Sequence, residues 1–258
     1  LDRVQDLMNT SLASDIELLD KTNQRVLAHS GKQVRPVLAL LTAKACSGGF
    51  VTEETIHFAA AAELIHNATL LHDDVADNSP VRRGEPTVMS LLGGRASVLL
   101  GDYWLVKGIE SVLSVNTFSG KVIRIFSNTL SDLAEGELLQ LQKADTCDTT
   151  ESDYYRIIYN KTASLFVASA NTAAISVSAS DENRKAAKLY AECLGIAFQI
   201  KDDIFDYTGG KKIGKPVGID LEEQKITLPL LGALESASDE RASHIRNMLL
   251  NIQEHPEY

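Results

Sequence analysis

The chain has 258 residues, 44% hydrophobic and 23% charged, and its 35 acidic against 25 basic residues give a formal net charge of −10. That length can enclose a sizeable core without covalent staples, and the acidic balance argues against nonspecific binding to nucleic acid, which rewards a basic surface. Three cysteines, Cys46, Cys147 and Cys193, are too few and too irregularly spaced for a disulfide framework or a zinc knuckle, and fit a reducing cytoplasm.

From Leu1 to Asp20 the chain carries Asp2, Arg3, Asp6, Asp15 and Glu17 instead of the apolar core of a signal peptide, and no uninterrupted apolar run of about 18 residues occurs further on. A soluble protein without a transmembrane segment is expected. Gly31 to Pro36 reads as a loop leading into a helix, with Lys32 and Arg35 three apart ahead of the apolar run Val37 to Leu41. Taken alone, that pair is as readily a solvated basic turn as an anion site.

Thr52 is a plausible N-cap, with Glu53 and Glu54 where the helix dipole favours anions, and the Ala-rich run Phe58 to Leu71 continues that helix to about Asp77. Asn78, Ser79 and Pro80 then stop it, and Asn78 to Pro86 reads as a loop that carries Arg82 and Arg83. None of the six prolines falls between Thr87 and Lys215, a span whose apolar residues recur mostly at helical spacing. A second long helix is predicted from about Arg184 to Asp206, ending before Gly209 and Gly210, and a Gly- and Lys-rich loop continues to Asp220. No Pro-, Gly- or Ser-rich linker divides the chain, so residues 1–258 are expected to form a single all-α domain.

Both long helices end in Asp-Asp-x-x-Asp: Asp73, Asp74 and Asp77 in the first, Asp202, Asp203 and Asp206 in the second. The outer carboxylates of such a motif lie one turn apart, about 5–6 Å at Cβ, where their repulsion costs a few tenths of a kcal/mol. A divalent cation between them reverses the sign, and magnesium commonly takes one or two carboxylates and completes its shell from phosphates. One such motif is as easily a solvated helix end. Two, each following an apolar stretch (Leu64 to Leu71, Leu194 to Ile200), point to the mouth of one apolar cavity between helices.

Carboxylates alone repel a diphosphate, so such a ligand also needs cations. Lys32, Arg35, Arg82 and Arg83 supply them, and adjacent arginines point in different directions and can grip different phosphates. His66, seven residues before Asp73, lies on nearly the same helix face, although an imidazole at an apolar helix position is more often a packed residue. His72 has no second histidine or cysteine at metal spacing, which argues against zinc.

The stretches GKQVRP, AAELIHNATLLHDDVAD, VRRGEPTV, LLGDYW, EGELLQ, YNKTASLF, GIAFQIKDDIFDYTGG and GKPVGIDLEEQKITLPL, in this order, resemble the trans-isoprenyl diphosphate synthase family over nearly the whole chain. The resemblance implies an isoprenoid synthase-type bundle of antiparallel helices around a central cavity, Mg2+, homodimerisation, and isopentenyl and allylic diphosphates as substrates. It implies that Lys32, Arg35, His66 and Arg83 hold isopentenyl diphosphate, and that Arg82, Lys161, Thr162, Gln199, Lys215 and Lys225 attend the allylic diphosphate. Asp73, Asp77 and Asp202 would bind metal directly, with Asp74, Asp203 and Asp206 in support. Thr162 and Gln199 would set oxygens near a developing allylic cation. An apolar product would allow peripheral membrane contact.

Short-chain members of that family often carry an aromatic floor four or five residues before the first aspartate. Here those positions are Thr69 and Ala68, with Leu64 and Ile65 one turn deeper, so an open cavity and a product of about seven to ten isoprene units are expected. Phe118, Phe126 or Tyr103-Trp104 could supply a block from another helix. The chain stops about thirty residues after Ile226-Thr-Leu-Pro-Leu, so the further helices usual in the family are expected to be absent. A farnesyl or geranylgeranyl diphosphate synthase, a terpene cyclase and a noncatalytic partner subunit are the rival readings. A cyclase lacks the Gly-Lys-x-x-Arg-Pro and Arg-Arg-Gly partners, and partner subunits typically lose an acidic motif.

Overall fold

Helical spacing and scarce proline carry nearly all of the backbone into helices. The computed structural model describes residues 1–208 and 217–255. In chain order the helices are α1 (Asp2–Leu12), α2 (Glu17–Ala28), α3 (Val34–Ser47), α4 (Glu53–Ala76), α5 (Val88–Leu92), α6 (Gly94–Leu113), α7 (Ser119–Thr146), α8 (Glu151–Ile158), α9 (Ser164–Ser176), α10 (Asp181–Thr208), α11 (Ile219–Glu222), α12 (Leu228–Glu235) and α13 (Asp239–Leu250). A π-helical turn, Tyr159–Ala163, joins α8 to α9. The molecule is all-α, as its spacing predicts. One departure is local: the expected loop after α4 closes into a minimal antiparallel hairpin, with Val81 paired to Pro86 and Arg82 to Glu85. Among the described residues no helix is long and apolar enough to cross a membrane.

The chain divides into two compact units. The first holds Leu1–Ser127 and Leu165–Leu189, and the second holds Asn128–Ser164 and the chain from Tyr190 onward. In the first unit α4 is the central element. Thr52 caps it in a reciprocal box with Thr55, and the Thr55 hydroxyl also meets that of Ser176 at 2.6 Å. Ala59 to Ala62 are all fully buried, so short side chains let α1, α3 and α6 approach α4 closely. Val4, Met8 and Leu12, at helical spacing, point from α1 into this core beside Leu64, Ala68, Leu100 and Trp104. The Trp104 indole N–H donates to Asn23 Oδ1 at 2.8 Å, and the Asn23 amide donates to the Leu12 carbonyl at 2.7 Å, so these two buried side chains are paired.

In the second unit a smaller apolar cluster gathers Cys147, Ile226, Leu234 and Leu249. The long helix α10 begins at Asp181, within the first unit and three residues before the expected boundary, because Asp181 and Glu182 extend its first turn in favour of the dipole.

Candidate active site

The loop expected over Gly31 to Pro36 ends at Gln33, where α3 begins, and in the first unit that loop, the start of α3, α4 and the hairpin bring basic residues together. Gln33 and Arg83 both sit at positive φ, 47° and 54°. Arg83 donates from Nη1 to the His29 carbonyl at 2.9 Å, whereas Arg82 donates from Nε to Asp74 Oδ1 at 2.6 Å. The adjacent arginines thus diverge. Arg35 lays its guanidinium over the Phe166 ring, 4.8 Å from the centroid. Its enclosed Nε and the Oε2 of Glu63, a residue 1% exposed, have no hydrogen-bond partner in the protein. Burial lowers the Arg35 pKa to about 10 against the opposing pull of Glu63, and burial raises that of Glu63. Half-buried His66 is held well below the usual imidazole range by burial and by Arg35, Arg83 and Arg82, so it is neutral at pH 7. Lys32 is exposed. A cavity of about 80 Å³ is lined by Arg25, His29, Asn67, Asp74, Arg82 and Arg83 among others.

The second unit builds its own polar set around the π-turn. One extra residue in that turn displaces the helix register, a distortion frequent at functional sites, and both Lys161 and Thr162 lie in it. Two glycines make room: a Cβ on Gly136 would stand 2.7 Å from Asn160 Cβ, and one on Gly195 would stand 2.6 Å from Ala163 Cα. Lys161 pairs with Glu137 and donates to Gln140 Oε1 at 3.0 Å. Thr162 donates to Gln199 Oε1 at 2.7 Å, and Gln199 Nε2 donates to Asp203 Oδ1 at 2.7 Å. Lys225 pairs with Glu223. Asp206 accepts backbone N–H groups from Ile219 and Asp220, which ties the end of α10 to the start of α11. A cavity of about 140 Å³ is lined by Lys161, Gln199, Asp203, Asp220, Lys225 and Tyr154 among others. Burial, with Asp206 and Asp203 nearby, pushes Asp220 up to about 7. Lys215 lies outside the described residues.

The two acidic motifs divide their labour alike. In each, the middle carboxylate is buried and engaged: Asp74 (4% exposed) by Arg82, and Asp203 (5% exposed) by Gln199 and Tyr154. The first and last members, Asp73 and Asp77, Asp202 and Asp206, are half-buried or exposed. Among the described residues no group of three His, Cys, Asp or Glu side chains is gathered that could hold a metal ion by itself.

Of the residues expected to shape a product cavity, Leu64, Ile65 and Ala68 are buried, and Leu64 and Ala68 belong to the apolar core. Ile65 packs against α6, where a Cβ on Gly108 would meet its Cγ1 at 3.1 Å. Thr69 alone is half-buried, its hydroxyl turned to the His66 carbonyl at 2.8 Å. Phe126 and Trp104 are buried.

Sequence reasoning missed Glu63, Glu137, Gln140, Tyr154 and Asp220. Glu63 was legible as the one acid inside the Ala-rich run Phe58 to Leu71. Glu137 and Gln140 stand in a helix of mixed polarity and carry no spacing signal. Tyr154 precedes Lys161 by seven residues, a helical repeat that the π-turn breaks.

The profile of the Polyprenyl synthetase family matches residues 16–257. The octaprenyl diphosphate synthase of Escherichia coli is 40% identical over 239 residues, 92% of this chain and 73% of that protein. A short chain isoprenyl diphosphate synthase of Methanocaldococcus jannaschii is 34% identical over 254 residues, 97% of this chain and 76% of that one. The crystal structure of a decaprenyl diphosphate synthase from Rhodobacter capsulatus superposes with a TM-score of 0.85 at 37% identity, covering 97% of this chain and 75% of that one. The fold is the all-α isoprenoid synthase fold, and the class of protein is that of the prenyltransferases. The chain belongs to the polyprenyl synthetase family.

Proposed function

We propose that this protein condenses isopentenyl diphosphate with an allylic diphosphate and repeats the step to give a long-chain polyprenyl diphosphate of about seven to ten isoprene units. The observation that carries the reading is the pairing, within each unit, of an Asp-Asp-x-x-Asp helix end with cations or hydroxyls suited to a diphosphate ester: Arg82 beside Asp74, and Gln199 bonded to Asp203 and in turn to Thr162, with Lys161 lining the same cavity. The length is supported by small residues at 68 and 69 and by the names of the relatives at 37–40% identity.

The acidic motifs offer only hard oxygen donors, and among the described residues no three converge, a donor set that fits magnesium shared with substrate phosphates better than a closed protein cage. Asp73, Asp77 and Asp202 would hold the ions, with Asp74, Asp203 and Asp206 in support. Bound magnesium supplies positive charge against the departing diphosphate.

The chain's own residues do the rest. Arg82, Lys161, Lys215 and Lys225 hold the allylic diphosphate as its C–O bond breaks and the electron pair leaves with oxygen. Thr162 and Gln199 set their oxygens toward the allylic cation, a fixed electrostatic support worth several kcal/mol. Lys32, Arg35, His66 and Arg83 hold isopentenyl diphosphate while its double bond attacks that cation. A proton then leaves to the freed diphosphate, and the product is one unit longer.

The reading includes one catalytic domain spanning residues 1–258, a cytoplasmic location, peripheral membrane contact through the product, and a homodimer. Three unpaired cysteines support the location. Leu99, Val106 and Leu113, at 60%, 50% and 56% exposure and seven residues apart on α6, support a second copy as the cover for that stripe. Light scattering measures the copy number, and a monomer at micromolar concentration would remove the dimer from the reading.

The deciding assay supplies magnesium, labelled isopentenyl diphosphate and allylic primers of several lengths. Incorporation into products of about seven to ten units is expected. Products stopping at three or four units would mark a short-chain synthase, a reading favoured by the Methanocaldococcus relative. No incorporation with any primer would overturn the function.

A further inference from the structure

We propose that Tyr154 is a positioning residue for the condensation: its hydroxyl anchors a chain of side chains, Asp203, Gln199 and Thr162, that aims the Thr162 oxygen at the reacting allylic group. The inference rests on the synthase reading and deepens it.

The geometry is continuous within the second unit. Tyr154 OH donates to Asp203 Oδ2 at 2.6 Å. Gln199 Nε2 donates to the other carboxylate oxygen at 2.7 Å, and Thr162 Oγ1 donates to Gln199 Oε1 at 2.7 Å. Each link sets the direction of the next. A carboxylate accepts only, so the amide nitrogen of Gln199 must face Asp203 and its oxygen must face Thr162. That oxygen also accepts only, so the Thr162 proton points to it, and the lone pairs of Oγ1 are left for a positive centre.

Tyr154 is 2% exposed, and Asp203 is 5% exposed, so neither bond competes with bulk water. Two observations separate this chain from ordinary packing. Tyr154, Gln199 and Asp203 line the cavity that also holds Lys161 and Lys225. The chain also crosses from α8 to α10 and back to the π-turn, so it fixes the residue that the distorted turn presents. Without the tyrosine hydroxyl, Asp203 keeps the Gln199 bond but can swing about it, and the alignment passed to Thr162 loosens. The apolar body of Tyr154, beside Ile157, Ile158 and Thr149 at the cavity wall, is unchanged by loss of the hydroxyl alone.

The test is Tyr154→Phe, assayed with saturating magnesium beside the unaltered enzyme. The expected result is a fall of about tenfold in kcat, with KM for each diphosphate within about twofold and the melting temperature nearly kept. A second variant, Gln199→Glu, sets a carboxylate against Asp203 and breaks the next link, and its kcat should fall at least as far with the same split. If the unaltered enzyme incorporates isopentenyl diphosphate while either variant keeps its full kcat, or loses rate only through KM or in step with its folded fraction, the inference falls and the synthase reading stands. If the unaltered enzyme incorporates none, the synthase reading itself has failed.

Discussion

Arg82 holds Asp74 through Nε at 2.6 Å, so the middle carboxylate of the first acidic motif already has its cation within the protein. Asp74 is nearly enclosed and Arg82 is about one-third exposed, which makes the bond stronger than a surface pair and weaker than a fully buried one. Asp74→Ala should therefore cost about 2 kcal/mol of folding stability, measured by urea denaturation. A loss indistinguishable from zero would show that the pair is only a surface contact.

The outer carboxylates should behave in the opposite way. Asp73→Asn and Asp202→Asn remove charge at accessible positions and should leave the melting temperature within a few degrees, while turnover falls by about a hundredfold or more. A magnesium titration should show a raised half-saturation for both. Full activity in either variant would exclude that residue as a metal ligand.

Positions 68 and 69 should separate packing from product length. Thr69→Phe places its ring at a half-buried site and should shorten the product by several isoprene units. Ala68→Phe should also shorten it, but with about 1–3 kcal/mol of overpacking, because Ala68 lies in the core with Leu64, Leu100 and Trp104. Chromatography of dephosphorylated products reads both. Unchanged length in both would place the block on another helix.

Asp220 gives a pH dependence with a definite sign. Its folded pKa, raised to about 7, exceeds the value near 4 of an unfolded aspartate, so between those limits the folded state binds more protons. Stability of the chelator-treated protein should fall as pH rises from about 4 to 7 and level off above that window, with respect to this group. Asp220→Asn should flatten the decline. Melting temperatures across the window check it, and equal slopes in both proteins would exclude Asp220 as the source.

Gly195→Ala tests the close approach of α10 to the π-turn. The added methyl would lie 2.6 Å from Ala163 Cα, a backbone atom that cannot turn aside. A loss of about 1–3 kcal/mol is expected, with reduced turnover because Thr162 sits next to the displaced residue. A variant as stable and active as the parent would mean that the two elements separate freely.

Much of the fold was legible in the residues. Helically spaced apolar residues and absent proline marked the helices. Thr52 marked the start of α4, and Asn78-Ser79-Pro80 its end. The motifs named the carboxylates and most of the cations. What sequence could not carry was pairing across elements. Nothing in Arg82-Arg83 says that the first turns to Asp74 and the second to a backbone carbonyl, since that depends on a two-residue hairpin and a positive φ at Arg83. Nor does any spacing rule connect Tyr154 on α8 with Asp203 on α10, because a hydrogen bond between distant helices leaves no period in the sequence.

The wide turn absorbs one residue more than ordinary helix would hold over the same rotation, so the helical segments on either side of it stay in phase. Deleting one residue between Tyr159 and Ala163 would let ordinary helix form there while Tyr154 kept its direction toward Asp203, and the change would fall on the turn's own side chains, Lys161 and Thr162, which would be re-aimed. A shortened variant should therefore fold and keep the tyrosine–carboxylate bond while losing turnover, which separates the aim of the threonine from the anchor beneath it.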